Sequence, residues 1–512
     1  MTQTAPVRLP RWTAAALGIL AVAAALAAGH LVAGLLEPNA SPFLAVGNTA
    51  IDLTPAPVKD FAVGTFGTAD KVVLICGMGA VLLGLAALAG LLSRSRPWPG
   101  LGLAVGLGTL GVAAVLNRPD LGLTALLAPA AALAVGVLVF YALHTLALRS
   151  RAASSWAELD RGRRRFLASS AGAALGAGLA GAGGALLAGR VDVEASRAAI
   201  GPLVAAEPAA PIPAGADFAA LGTPRFLTSN RDFYRVDTAL SVPRLRAEDW
   251  RLRIHGAVDR ELALGYADIR RLPLVERTVT ITCVSNEVGG PYVSTANFIG
   301  VPLRDLLDRA GVKPGAEQVF STSVDGWTCG TPVADVLDRG LLAIGMNGEP
   351  LPVEHGFPAR LVVPGLYGFV SATKWVVDLE LNRFADRQAY WRRRGWAERA
   401  PIKTQSRIDA PAPFAEVPSG VVTVAGIAYA QHRGISRVEV RADGGPWLDA
   451  TLSTEVNSDT WRMWQARLSL PPGTHTVECR ATDTTGATQP EARVPPIPDG
   501  ATGWPSTQFT TT

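Results

Sequence analysis

Charge is the first thing this chain is short of. Of its 512 residues, 18% are Asp, Glu, Lys or Arg, where an ordinary soluble protein carries about 25%. Hydrophobic residues make up 49%, and the mean hydropathy is +0.24. So little charge excludes a disordered chain, a coiled coil and a basic nucleic-acid-binding arm. The net charge of +4 is small for this length, and nothing in it asks for nucleic acid as a partner. Cysteine is scarce as well. Cys76, Cys283, Cys329 and Cys479 stand far apart and make neither a disulfide framework nor a CxxC metal knuckle. The length allows roughly two to four domains.

What the chain has instead is apolar sequence near its start. Four long runs lie at about residues 12–36, 72–92, 101–116 and 121–148, and a fifth, at 167–188, is rich in Gly and Ala. Crossing a bilayer takes about 20 apolar residues, so five spans are expected, the third only just long enough. With the N-terminus inside, the inner connections hold Arg8, Arg11, Arg94, Arg96, Arg149, Arg151, Arg161, Arg163, Arg164 and Arg165. The outer ones hold Lys59, Lys71 and Arg118. That bias sets an N-in, multi-pass topology in the cell membrane and puts everything after residue 190 outside the cytoplasm. The entry to the fifth run, Arg163-Arg164-Arg165-Phe166-Leu167 before a weakly hydrophobic stretch, resembles a twin-arginine export signal. That route carries folded proteins already holding a cofactor, although three arginines obeying the positive-inside rule would look the same. The histidines within the runs, His30 and His144, sit near opposite ends of their spans, roughly 20 Å apart in depth. A bis-histidine haem is therefore not expected, and the membrane part reads as an anchor or docking surface.

Residues 191–221 are rich in Ala and Pro and read as a semi-extended linker. The rest has ordinary globular composition and divides near residues 402–418, where charge and Pro cluster. The stretch TVTITCV alternates β-branched residues and predicts a strand ending at Cys283, followed by the polar, Gly-rich turn SNEVGGPY. A cysteine at a strand end beside a glycine loop can present a thiolate to a ligand, whereas a lone cysteine is by default buried and inert. Further on, His355, Arg360 and Lys374 are spaced between apolar segments around Gly-rich turns. Such cations form either an anion cradle or a set of solvated surface charges.

The longer motifs speak more specifically. MNGEPLPVEHGFPARLVVPG, the ITCVSN strand end, GVPLRDLLDRAGV, and upstream TSNRDFYRVDTALSVP with WRLRIHG resemble the molybdenum-cofactor domain of the sulfite oxidase family. The likeness runs with few gaps over about residues 223–385. It continues more weakly over 421–494, where GISRVEVRADGGPW and a final GATGW resemble the family's immunoglobulin-like dimerisation module. Short alternating strands between Gly/Pro turns favour a β-sandwich there independently. The expected architecture is multi-domain: an N-terminal transmembrane α-helical region (1–190, its last helix resembling the export signal), the linker (191–221), a central α+β molybdopterin-binding domain (222–400) and a C-terminal immunoglobulin-like β-sandwich (401–512).

The resemblance implies a molybdenum held by a pterin dithiolene, with Cys283 as the protein's thiolate ligand, a soft donor of the kind such a metal takes. It implies that His355, Arg360 and Lys374, with Ser371 and Thr373, anchor the pterin phosphate, and that Asp325 accepts hydrogen bonds from the pterin edge. Asn230, Phe233 and Tyr234 match the loop that covers the cofactor. Cys329 and Cys479 match no ligand position and read as structural; Cys76 lies in a span without an arguable role.

The chain also departs from the family. Asn286 is kept, but Glu287 and Val288 stand where two arginines usually follow. A carboxylate in place of a cation repels a small anion, which argues against sulfite. Arg235 comes one place earlier after the Phe-Tyr pair than the family's substrate-side arginine. A one-residue shift turns an extended side chain to the other face, so Arg235 faces the pterin unless a bulge restores it to the substrate. The family's active-site tyrosine after Asp325 has no counterpart, and no cytochrome-type haem domain is evident. The expectation is a membrane-anchored, extracytoplasmic oxidoreductase that moves an oxo group to or from a small, sulfur-containing substrate and exchanges electrons with a separate donor or acceptor. A homodimer through the C-terminal module goes with it. A methionine-sulfoxide or other S-oxide reductase is the alternative direction. A cofactor-free binding module is the non-enzymatic alternative, opposed by the retention of Cys283, His355, Arg360 and Lys374.

Overall fold

The structure is a computed structural model of the chain. It describes residues 7–512 apart from 56–57, 59–60, 62–64, 67–68, 119–120, 152–155 and 189–191. Lys59, counted above on the outer side, and the junction at 189–191 lie outside the described residues. The chain divides into two compact units, one of residues 1–192 with 239–241, the other holding the remainder.

In the first unit, α1 (Arg11–Leu36) is followed by a helix the apolar pattern did not predict, α2 (Pro42–Leu53). Then come α3 (Asp70–Leu92), α4 (Trp98–Leu116), α5 (Leu127–Arg151) and α6 (Trp156–Ala188). Among the described residues five helical segments are long and apolar enough to cross a membrane. The arginines 163–165 lie inside α6, where Arg164 pairs with Asp160 at 3.0 Å. Small residues let α1 and α3 touch backbone to backbone. A Cβ on Gly18 would stand 1.9 Å from the Ala86 carbonyl oxygen, and one on Gly90 1.9 Å from that of Ala14. In a bilayer such helices would gain no hydrophobic energy from meeting, and close packing of this kind would be what holds them together. His144 is buried on α5, stacks on Phe140, and its Nε2 donates to the Ser93 carbonyl at 2.6 Å.

The second unit opens with α7 (Val193–Ile200) in the stretch expected to be an extended linker. Arg197 holds that helix down by donating to the Pro350 carbonyl at 2.9 Å, and Glu276 N–H donates to the Glu207 carbonyl at 2.8 Å. Tertiary contacts, not local composition, order this segment.

The central domain is built of β1 (Arg251–Gly256), β2 (Leu262–Gly265), β3 (Val275–Thr282), β4 (Val293–Pro302), β5 (Gln318–Ser323), β6 (Thr328–Pro332), β7 (Leu341–Met346), β8 (Glu349–Pro350), β9 (Arg360–Val362) and β10 (Val376–Asn382). One sheet runs β2-β1-β10-β5-β6, with β1 and β10 parallel; the other runs β3-β4-β7-β8, with β9 on β7. Short helices, α8 (Tyr266–Arg270), α9 (Leu303–Ala310) and α10 (Val333–Arg339), complete an α+β fold.

The C-terminal part is a sandwich of β11 (Gln405–Ala410), β12 (Glu416–Val417), β13 (Gly420–Tyr429), β14 (Ile435–Ala442), β15 (Leu448–Asp449), β16 (Thr451–Leu452), β17 (Arg462–Leu470), β18 (Gly473–Asp483) and β19 (Ser506–Thr511). Its sheets run β11-β13-β17-β16 and β12-β19-β18-β14-β15. Val424, Val438, Trp464, Cys479 and Phe509 fill the space between them. Cys329 is likewise buried, in the central domain.

The sandwich grips one edge of the central domain. Thr280 of β3 donates its N–H to the Asp459 carbonyl (3.0 Å), its Oγ1 accepts from Trp461 N–H (2.7 Å), and its carbonyl accepts from Gln431 Nε2 (2.8 Å).

The α1–α3 crossing gives a direct test. Gly90→Val drives a branched side chain into the Ala14 carbonyl, and overpacking of this kind costs about 1–3 kcal/mol or more. A lower thermal midpoint of the detergent-solubilised chain is expected, while Gly77→Val, on the same helix and facing open space, leaves the midpoint nearly unchanged.

Candidate active site

Cys283 follows β3 directly. Its N–H donates to the Tyr292 carbonyl at 3.0 Å, and its carbonyl accepts from Asn286 N–H at 3.1 Å, which closes the turn. The half-buried thiol lies 2.9 Å from Ser285 Oγ. Burial pushes the thiol pKa up, against the hydrogen bonds from Ser285 and the positive charge of Lys374. The same desolvation, reinforced by Cys283, raises Tyr234 well above an ordinary phenol, so its hydroxyl stays protonated.

Nearby, His355, Arg360 and Lys374 converge. Gly356, at φ 111°, allows it: a Cβ there would meet Arg360 Cβ at 3.0 Å and Lys374 Cα at 3.1 Å. Trp375 adopts φ 50°, a costly backbone for a bulky residue. Burial of its ring and the Nε1 bond to the Val353 carbonyl, 2.8 Å, hold it there. Arg360 is 3% exposed and donates to the His355 carbonyl at 3.1 Å. His355 is 4% exposed; its Nε2 donates to the Asn230 carbonyl at 3.0 Å, and its Nδ1 has no partner.

These groups are electrostatically uncomfortable. Desolvation, then repulsion by Lys374 and Arg360, lowers His355 to about 4. Desolvation lowers Arg360 to about 10. It lowers Lys374 to about 8, against the pull of Asp237 and with the push of Arg360 and Arg235. Asp237 reaches Lys374 at 3.3 Å and Arg235 at 2.8 Å. Among the described residues no carboxylate pairs with Arg360 or His355. Buried cations with too little negative charge around them form an anion site.

The other predicted site residues take varied places. Phe233 packs edge-on to His355 with centroids 5.4 Å apart and stacks on Tyr234 at 5.5 Å. Asn230 spends its side chain on the β7–β8 turn, donating to the Met346 carbonyl at 3.3 Å and to Glu349 and accepting from Asn347 at 2.8 Å. Ser371 and Thr373 are buried. The Ser371 hydroxyl donates to the Leu366 and Tyr367 carbonyls at 3.1 Å, and that of Thr373 lies 2.6 Å from Ser321 Oγ. Asp325 accepts from Trp327 N–H at 3.1 Å. Arg235 joins the Asp237 and Lys374 side, and Glu287 is exposed on the turn after Cys283. Sequence reasoning missed Asp237, inside a motif it quoted, and Tyr429 of the sandwich, whose hydroxyl meets Asn286 at 3.4 Å. No local signal marks Tyr429.

The geometry fits an anionic organic cofactor that carries its own metal. Among the described residues no three His, Cys, Asp or Glu side chains cluster to hold a metal ion. A metal at Cys283 would thus take its other ligands from the cofactor, while the cation cluster and the orphaned His355 Nδ1 suit a phosphate.

A strand-end thiol beside a buried cation cradle on this α+β fold defines a molybdopterin-binding oxidoreductase domain. Residues 239–391 match the family model described as "Oxidoreductase molybdopterin binding domain", and 405–478 match "Bacterial Ig domain". The first match begins after the loop carrying Asn230, Phe233, Tyr234 and Arg235. Sulfite oxidase of Gallus gallus is 30% identical over 322 residues, covering 53% of this chain and 70% of the relative. Mitochondrial sulfite oxidase of Mus musculus is 31% identical over 324 residues, covering 53% of this chain and 59% of that one. An uncharacterized oxidoreductase of Bacillus subtilis is 36% identical over 148 residues, covering 29% of this chain and 72% of that one. The chain belongs to the sulfite oxidase family, whose cofactor is molybdenum bound to molybdopterin. It spans 59% of the length of its mammalian relatives.

The strained cradle predicts a pH dependence in the cofactor-free chain. The folded-state pKa of His355, about 4, lies below its ordinary 6.5, so the unfolded chain takes up the proton first. Stability should fall as pH drops from about 6.5 to about 4, by up to about 3 kcal/mol. Thermal melts of the cofactor-free chain across that range, beside His355→Gln, should show a slope that the variant lacks.

Proposed function

We propose that this chain is a membrane-anchored, extracytoplasmic oxidoreductase acting on a small, neutral or cationic sulfur compound. The observation that carries the reading is the Cys283 thiol near a buried cluster of Arg360, Lys374 and an uncharged His355 whose cations are under-compensated. When bound, molybdenum-molybdopterin supplies two-electron oxo transfer. The protein's part is to bind and orient it. Cys283 gives the metal its protein thiolate, and metal binding would draw off the proton that burial otherwise retains. Arg360, Lys374 and a protonated His355 hold the phosphate, with Arg235 next to Lys374 through Asp237. The 371–374 segment contributes backbone there, since the hydroxyls of Ser371 and Thr373 are engaged within the fold. Asp325 accepts from the pterin edge, while Asn230, Phe233 and Tyr234 cover the cofactor.

Residues 1–190 are read as the membrane region, 222–400 as the oxidoreductase domain and 401–512 as the sandwich through which a homodimer forms. The arginine bias supports an N-in orientation and an extracytoplasmic site, and the Arg163–Leu167 sequence supports export of a domain already loaded with cofactor. Electrons pass to or from a separate carrier. Both oxidation of a sulfur compound and reduction of an S-oxide use the same residues; Glu287, where the family pattern has a cation, argues against sulfite.

Metal content of the purified chain is the first test. About one molybdenum per chain, with an altered molybdenum spectrum and lost redox activity in a folded Cys283→Ala variant, is expected; a parent made with an intact cofactor pathway yet holding no molybdenum would overturn the reading. Glu287→Arg bears on substrate charge. Any sulfite turnover should rise about tenfold or more, the scale of one charge-assisted contact; no gain at full molybdenum content would refute the electrostatic argument.

A further inference from the structure

The C-terminal sandwich reaches past β3 to the turn that carries Cys283. Tyr429, the last residue of β13, is 3% exposed, and its hydroxyl accepts from Asn286 Nδ2 at 3.4 Å. On its other side Asn286 Oδ1 accepts from Tyr292 N–H at 2.8 Å, which fixes which way the amide points. The Tyr292 carbonyl in turn accepts from Cys283 N–H at 3.0 Å and from Thr282 Oγ1 at 3.1 Å. The turn is shaped around this amide: a Cβ on Gly290 would stand 2.5 Å from Asn286 Oδ1. A second sandwich residue holds the same turn. Arg407 of β11, paired with Asp409 at 2.7 Å, donates to the Gly290 carbonyl at 3.2 Å.

We infer that Tyr429 is a positioning residue for Cys283: acting through Asn286, it sets the direction in which the thiolate meets its metal. The inference rests on the reading of Cys283 as the molybdenum ligand. The physical reason is that overlap between a sulfur lone pair and a metal orbital depends on how the sulfur is turned, and groups one bond removed from a ligand control that turn. The sandwich thereby becomes a working part of the oxidoreductase site as well as a candidate dimer surface.

The test uses the full-length, molybdenum-loaded chain and Tyr429→Phe, which removes one oxygen and keeps the packed ring. At equal molybdenum content and thermal midpoint, the variant's molybdenum paramagnetic resonance g-values should shift. Its kcat should fall about three- to tenfold, the size of one lost buried hydrogen bond, with KM kept. Asn286→Ala should shift the spectrum in the same way, and the double variant should add nothing, because the two act as one unit. In metal-free full-length chain, alkylation of Cys283 by iodoacetamide, followed by mass spectrometry, should quicken about three- to tenfold in Tyr429→Phe. An unchanged spectrum in the loaded variant, or an unchanged alkylation rate, overturns the inference. Failure of the parent to take up molybdenum overturns the underlying reading instead, and the alkylation rate still decides whether Tyr429 holds the thiol's turn.

Discussion

Positive charge held out of water without enough negative charge beside it is the constraint on which the rest of the site depends. His355, Arg360 and Lys374 each hold their charge less readily than they would in solvent, and Asp237 relieves the strain at Lys374 only. A fold keeps such an arrangement only if something else over-determines it. Here the backbone does so. Gly356 permits the approach, Trp375 accepts an unfavourable φ to turn the chain between Lys374 and β10, and its indole is locked to the Val353 carbonyl. The strain is thus stored by packing and would be released by an anion.

The second half of the site obeys a different logic. Cys283 is placed by hydrogen bonds to backbone, not by charge. Strand β3 is paired to β4 along one edge and tied to the sandwich at Thr280 on the other side. The thiol therefore sits at the end of an element restrained by two domains, while the cation cradle belongs to the central domain alone. The two halves meet through electrostatics, in the effect of Lys374 on Cys283, and through Tyr234, which feels both Cys283 and Arg360 and stacks on the Phe233 ring that packs against His355.

Much of this was legible in the sequence, for reasons that differ by residue. The alternation in TVTIT marks β3: Val279 and Ile281 supply one apolar face, and the threonines of the other, equally buried, bond to β4 and the sandwich; the long motifs carry the family and hence its cofactor. Asn347-Gly348 marks the β7–β8 turn because positive φ needs such residues. The helix at 193–200 was not legible. Its Ala-rich composition suits several conformations, and Arg197 chooses one by bonding to residues more than 150 positions away. The Ser371 and Thr373 hydroxyls illustrate the same limit: a motif gives residue identity, but the direction of a side chain is decided by which carbonyls happen to lie beneath it. Tyr429 was beyond reach, since its partner is 143 residues earlier in the chain and on another domain.

The two family matches meet between residues 391 and 405, which invites treating them as separable modules. The bond from Tyr429 to Asn286 says otherwise. A fragment ending near residue 400 would retain the cysteine, the cradle and every residue the molybdopterin motif recognises, yet the turn beside the thiol would have lost an outside hold. The seam divides the two family matches, but the hydrogen bonds that hold the Cys283 turn cross it. Shuffling this sandwich for a homologous one would alter the hold on the turn that carries Cys283.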